Sequence, residues 1–194
     1  GQLAGTPAQV REILADAYAL ATPTGNVTHS SYWKAQTLLS EPGLPAFFQE
    51  KSRFFNEAID HRVVAAVFDW LHKYPKTAVE AAFKLFQTGG AVNDRRPHDT
   101  AFVHRMSHWL GSIELYWDST TTAATLQENL AWLRSFNDAL VPLAKGGAYQ
   151  NFIDPTLADW KRAYYGDNLA RLEALKRRVD PTNVFKFPEA IPRV

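Results

Sequence analysis

The sequence predicts an α+β fold, an antiparallel sheet with helices packed mainly on one face. Three observations predict it. Residues 109–117 alternate strictly. Trp109, Gly111, Ile113, Leu115 and Trp117 face one way, and Leu110, Ser112, Glu114 and Tyr116 face the other, which is the two-residue period of a strand. Residues 60–73 and 119–140 place their apolar side chains at helical spacing instead. Turn-forming Gly, Pro and Asp residues separate these segments, as a layered arrangement of short elements requires.

The elements follow in order. Thr6 and Gln9 form a capping box, and Pro7 suits a first helical position because its missing N–H has no partner there. Val10, Ile13, Leu14 and Ala17 then make one apolar stripe, ended by Pro23 and Gly25. Residues 25–31 are polar and predict a loop. After Pro42, Gly43 and Pro45 comes FFQEKSRFF, which is followed by a helix over about 60–73 with Val63, Val64, Val67, Phe68 and Leu71 inward. Val79, Ala81, Phe83 and Leu85 alternate with polar residues and predict a strand, broken by Gly89-Gly90. Residues 91–100 predict a charged loop, and 101–106 a further strand. A helix with Leu126, Leu130, Leu133, Phe136 and Leu140 on one side follows the threonines at 120–122. Asp154-Pro155 opens a last long helix over about 155–178, with Leu157, Trp160, Tyr164, Leu172 and Leu175 as its stripe, and Asp180-Pro181 stops it. Three strands make a thin sheet, so further strands are expected to pair with its margin.

Composition narrows the function classes. Apolar residues make up 46% of the 194, including 12 Phe, 7 Tyr and 6 Trp, which supports a packed core and argues against disorder. A net charge of +1 provides no field for nucleic acid or an anionic membrane, so neither is expected as a partner. With no cysteine there is no disulfide, thiol nucleophile or thiolate metal site. No apolar run approaches the ~20 residues of a membrane span, and the first residues do not have the form of a signal peptide. The expected compartment is the cytoplasm, with secretion also compatible. His98, His104 and His108 invite a metal reading, but no carboxylate sits between the last two as it does in HExxH, and no metal is expected.

Four blocks, in order, resemble the berberine bridge enzyme-like family of FAD-linked oxidases. They are EKSRFF at 50–55, GGAVNDRRPHDTAFVHR at 89–105, the strand ending at Trp117, and a C-terminal block from Tyr149 that contains YQNF, AYYGDN, RLEALK and DPTNVF. The last is the specific one. The resemblance implies a single domain over 1–194, comprising part of a substrate domain (1–147) and a berberine-like segment (148–194). It also implies that EKSRFF lies near the start of a substrate-domain helix. The activity it implies is hydride removal from an alcohol, amine or sugar carbon onto FAD. The flavin-binding domain is expected elsewhere, as a partner domain or subunit, because no residue here matches the family's attachment His or Cys.

By the same resemblance, Tyr149 is the candidate base over the flavin, and Asn151 the candidate flavin contact. Ser112, Glu114 and Tyr116 are expected to line the substrate pocket, with Ser112 nearest the position where some members carry an acid or amide. A phenol titrates near about 10, so a basic tyrosine needs positive charge or hydrogen bonds around it. His104-Arg105 is expected to tie a loop, and Asn168 to bond the backbone of the YxN segment. Two other functions fit the same residues. One is a flavin-free binding protein or cyclase holding a small molecule among the aromatic side chains. The other is a structural subunit that self-associates through an exposed sheet face, as an oligomer.

Overall fold

A computed structural model of the chain describes residues 2–40, 47–77 and 80–193. The chain divides into two compact units, Gly1–Pro45 and Ala46–Val194.

The first unit is helical. Thr6 caps helix α1 (Pro7–Ile13) through the expected box, accepting from Gln9 N while Thr6 N donates to Gln9 Oε1 at 2.8 Å. The apolar stripe predicts one helix through Ala17, but Leu14 leaves helical geometry and α2 (Ala15–Leu20) starts afresh. Helix α3 (Tyr32–Leu39), capped by Ser31, was not expected.

The second unit is built on a three-stranded antiparallel sheet in the order β1-β3-β2: β1 Phe47–Phe55, β2 Glu80–Gln87 and β3 Trp109–Trp117. The expected bounds of β3 match. For β2, the expected first residue Val79 lies outside the described residues. EKSRFF lies within strand β1 and not at a helix start, because its backbone pairs with Trp109–Glu114 of β3. Residues 101–106 are a turn-rich loop and not a strand. Arg105 N turns back to Val103 O, and the Arg105 guanidinium holds Phe102 O, Val92 O and Thr100 Oγ1, so that backbone has no sheet partner to meet.

Helices α4 (His61–His72) and α5 (Ala123–Ala144) cover one face of the sheet. Asp60 caps α4 by accepting from Arg62 N and Val63 N, and Thr122 caps α5 by accepting from Thr125 N. The core joins Phe55, Ile113 and Leu115 of the sheet to Val63 of α4 and to Trp132, Leu133, Phe136 and Leu140 of α5. Val64 and Phe68, expected inward, are exposed, and Trp70 takes the inward place with Val67 and Leu71. The Trp132 indole donates to Trp70 O at 2.8 Å, so its one polar atom is satisfied in the core. Gly111 is required in β3 because a Cβ there would lie 2.7 Å from Phe55 Cε2.

Beyond α5, a strap leaves Lys145 and runs along the margin of β1, where Phe54 N donates to Gly147 O at 2.9 Å. The long helix expected over 155–178 is two helices, α6 (Trp160–Tyr165) and α7 (Leu169–Val179), split by a 3-10 turn at Gly166–Asn168. Gly166 has φ +48, a geometry that glycine adopts without strain. Asn168 bonds Pro97 O and Thr100 O, so it holds the 97–100 loop and not the YxN segment.

His104 fills the space between the strap and β1. Its ring stacks on Phe54 with centroids 4.1 Å apart, and a Cβ on Gly147 would lie 2.9 Å from its Cε1. Burial away from water depresses its pKa to about 4.

Two expectations follow. Phe136 is fully buried and meets Trp70, Phe83 and Trp132, so Phe136→Ala should cost about 3–5 kcal/mol in urea unfolding. A loss below about 1 kcal/mol would show that this packing is wrong. His104 stays neutral in the folded chain down to about pH 4, whereas an unfolded His binds its proton near about 6.5. The unfolded state therefore holds more protons across that window, and stability should decline as pH falls from about 6.5 to about 4. The urea midpoint at pH 4.5 against pH 7 measures this, and the difference should shrink in His104→Asn.

Candidate functional site

The face of the sheet opposite the core is set by β3 alternation and by register. Cross-strand partners give four rows: Phe48–Tyr116–Glu80, Glu50–Glu114–Ala82, Ser52–Ser112–Lys84 and Phe54–Leu110–Phe86. The face thus runs from an aromatic end through a carboxylate row and a hydroxyl row to an apolar end. Its centre is not a solvated strand face. Ser112 is fully buried, Glu114 is 6% exposed and Glu50 8%.

The polar groups bond to one another. Ser112 Oγ donates to Glu50 Oε1. Tyr116 OH donates to Glu114 Oε2 at 3.0 Å, and Lys84 Nζ sits 3.0 Å from the same oxygen. Burial pushes the Glu50 carboxyl above the usual range, the Ser112 bond opposes this, and the charge of Glu114 adds to it. Burial and the Glu114 bond likewise push the Tyr116 phenol up. The Tyr116 ring stacks with Phe48, centroids 5.9 Å apart.

Tyr149 enters at the hydroxyl row. Its backbone N donates to Ser52 Oγ at 2.9 Å, which brings the strap onto this face. Its ring meets Phe54, Phe102 and Phe152 edge-on at 5.9, 6.3 and 5.0 Å, and Phe152 reaches Phe86 at 6.1 Å. The half-buried Tyr149 keeps its hydroxyl at the margin, where exposed Asn151 donates Nδ2 to it at 2.8 Å.

Asp154 anchors the far end of this turn. It accepts from Lys51 Nζ at 2.6 Å, with both side chains buried, and its N donates to the Tyr164 hydroxyl at 2.8 Å. Lys51 also donates to Thr156 Oγ1 at 2.6 Å. Breaking one partner of a buried pair leaves an uncompensated charge, so the clamp holds the loop in one position.

The structure thus brings Ser112, Glu114 and Tyr116 onto one face and pairs Tyr149 with Asn151 at its edge. Sequence reasoning did not find Glu50, Ser52 or Lys84. Alternation within FFQEKSRFF puts Phe48, Glu50, Ser52 and Phe54 on one side, and a strand assignment there would have exposed them. Of the three histidines, His98 bonds Asn168, His104 is packed on Phe54, and His108 is exposed.

Known proteins are similar to this chain in sequence and fold. Residues 148–192 match the family model described as berberine and berberine like. The chain is 27% identical over 195 residues to YgaK of Bacillus subtilis, an FAD-linked oxidoreductase, covering 99% of this chain and 42% of that protein. It is 36% identical over 97 residues to a carbohydrate oxidase of Microdochium nivale, covering 48% of this chain and 19% of that one. The crystal structure of a carbohydrate oxidase from the same organism superposes with a TM-score of 0.74 at 28% identity, over 98% of this chain and 44% of that chain. The flavoenzyme CrmK superposes with a TM-score of 0.77 at 26% identity, over 99% and 43%. The chain thus spans less than half the length of these relatives. In its C-terminal block, its sheet and the relatives that share both, the chain resembles the berberine bridge enzyme-like family of FAD-linked oxidoreductases.

Proposed function

We propose that this chain is the C-terminal, substrate-facing portion of an FAD-dependent oxidoreductase that oxidises an alcohol, amine or sugar carbon, with the flavin-binding portion supplied outside these residues. The observation that carries this is the Tyr149–Asn151 pair, a phenol and an exposed amide 2.8 Å apart at the margin of a polar sheet face. The donor set suits the rim of an isoalloxazine ring. An amide both donates and accepts, and the surrounding aromatic side chains offer ring edges to a flat group. A bound flavin supplies the hydride acceptor.

The chain's own residues do the rest. Tyr149 Oη takes the proton of the substrate hydroxyl or amine, and the amide donor of Asn151 stabilises negative charge on that oxygen. Ser52 and the Lys51–Asp154 clamp fix where the phenol stands. Glu114 and Tyr116, with Ser112 behind Glu50, form the pocket wall. The named relative that oxidises carbohydrate supports a sugar carbon among the substrates.

The test is Tyr149→Phe in the chain completed by its flavin-binding half. Anaerobic bleaching of the flavin absorbance band by substrate should slow about 10²-fold or more, with flavin binding retained. Bleaching at the unchanged rate would overturn the role of Tyr149, and failure of the completed protein to hold FAD would overturn the reading as a whole.

A further inference from the structure

Two carboxyls face each other across β1 and β3, and they are not equivalent. Glu114 is occupied by Lys84 and by the Tyr116 hydroxyl. Glu50 receives one bond, from the neutral Ser112 hydroxyl, and that bond falls on Oε1. Its Oε2 accepts no hydrogen bond among the described residues, yet it is not sealed from solvent. Ser112 is itself fully buried, so it reaches a ligand only through Glu50.

We infer that Glu50 is a substrate-orienting residue of this site. Its free oxygen accepts a hydrogen bond from a second hydroxyl or amine hydrogen of the substrate, with Ser112 as its positioning residue. This rests on the proposed oxidoreductase reading and deepens it. Glu50 lies one row from Ser52, about 7 Å along the strand, and Ser52 holds the Tyr149 backbone. The substrate class is therefore a molecule with two polar X–H groups, one served by Tyr149 and the other by Glu50.

The contact needs the carboxylate form, because a neutral carboxyl keeps its proton on one oxygen. The groups around it set its titration. Glu114 and Tyr116 face it from β3 and Lys84 from β2, while Glu80 stands in the next row. Burial and Glu114 raise its pKa, and Ser112 lowers it. Substrate capture should then fail on the acidic side, at a pH above the usual carboxylate range.

The experiment has two arms. In the chain alone, without flavin, carbon-13 carboxyl NMR titrates Glu50, assigned with Glu50→Gln. Its midpoint should lie above the usual range, fall in Glu114→Gln and rise in Ser112→Ala. An ordinary midpoint that ignores both variants overturns the inference. In the flavin-completed protein, Glu50→Gln should raise KM at least tenfold, change kcat less, and abolish the acidic limb of kcat/KM. A purely structural role would leave that limb in place, since glutamine still accepts the Ser112 bond. If Tyr149→Phe slows flavin bleaching while Glu50→Gln leaves KM and the limb intact, the inference fails and the reading stands. If neither variant has an effect, the role of Tyr149 fails as well, and failure of the completed protein to hold FAD overturns the reading itself.

Discussion

Strand β3 is hydrogen-bonded along both edges and packed on both faces, and that double commitment organises the second unit. A strand covered on both sides normally reads as a continuous apolar run. Here the alternation is kept: Ile113 and Leu115 enter the aromatic core under α4 and α5, while Ser112 and Glu114 lie buried on the other side. Burying polar atoms is unfavourable unless each finds a partner. The face opposite the core is therefore closed by its own bonds, Ser112 to Glu50 and Glu114 to Lys84 and Tyr116. Its geometry follows from satisfying those atoms.

The second constraint is the close approach of the strap. A Cβ on Gly146 would lie 2.3 Å from Phe54 O, and one on Gly147 would lie 2.2 Å from Ala163 O. Two adjacent residues without side chains let the chain pass between β1 and α6 and then present Tyr149 at the hydroxyl row. On the far side of the turn, Lys51 and Asp154 close a buried ion pair. A loop held at both ends by backbone contacts and a buried charge pair has little room for displacement.

Legibility in the sequence varied with how local each signal was. The bounds of β3, the Thr6 capping box and the Asp180 stop were readable because each depends on neighbours within a few residues. Strand β1 was not. Lys51 and Arg53 point to the helix side, where Asp154 and Asn137 meet them, so the polar and apolar alternation is blurred on both faces. The split between α6 and α7 depends on Gly166 adopting positive φ, which a helical stripe does not reveal. The same distinction governs the site. Ser112, Glu114 and Tyr116 share a face by period alone, whereas Glu50 and Lys84 join them through strand register across distant segments. Tyr149 and Asn151 were found through the C-terminal motif, and their bond to each other became visible only in three dimensions.

The facing glutamates also bear on how the sheet assembles. Shifting β1 by one residue against β3 would exchange its two sides. Glu50 would then stand where Gln49 or Lys51 now stands, beside the buried Asp154 carboxylate, and Phe55 would turn outward to water. A misaligned pairing would thus bring two carboxylates together and remove Lys51 from its buried partner, which disfavours that arrangement. The Glu50 carboxyl, buried opposite the core, therefore also favours one alignment of the strands.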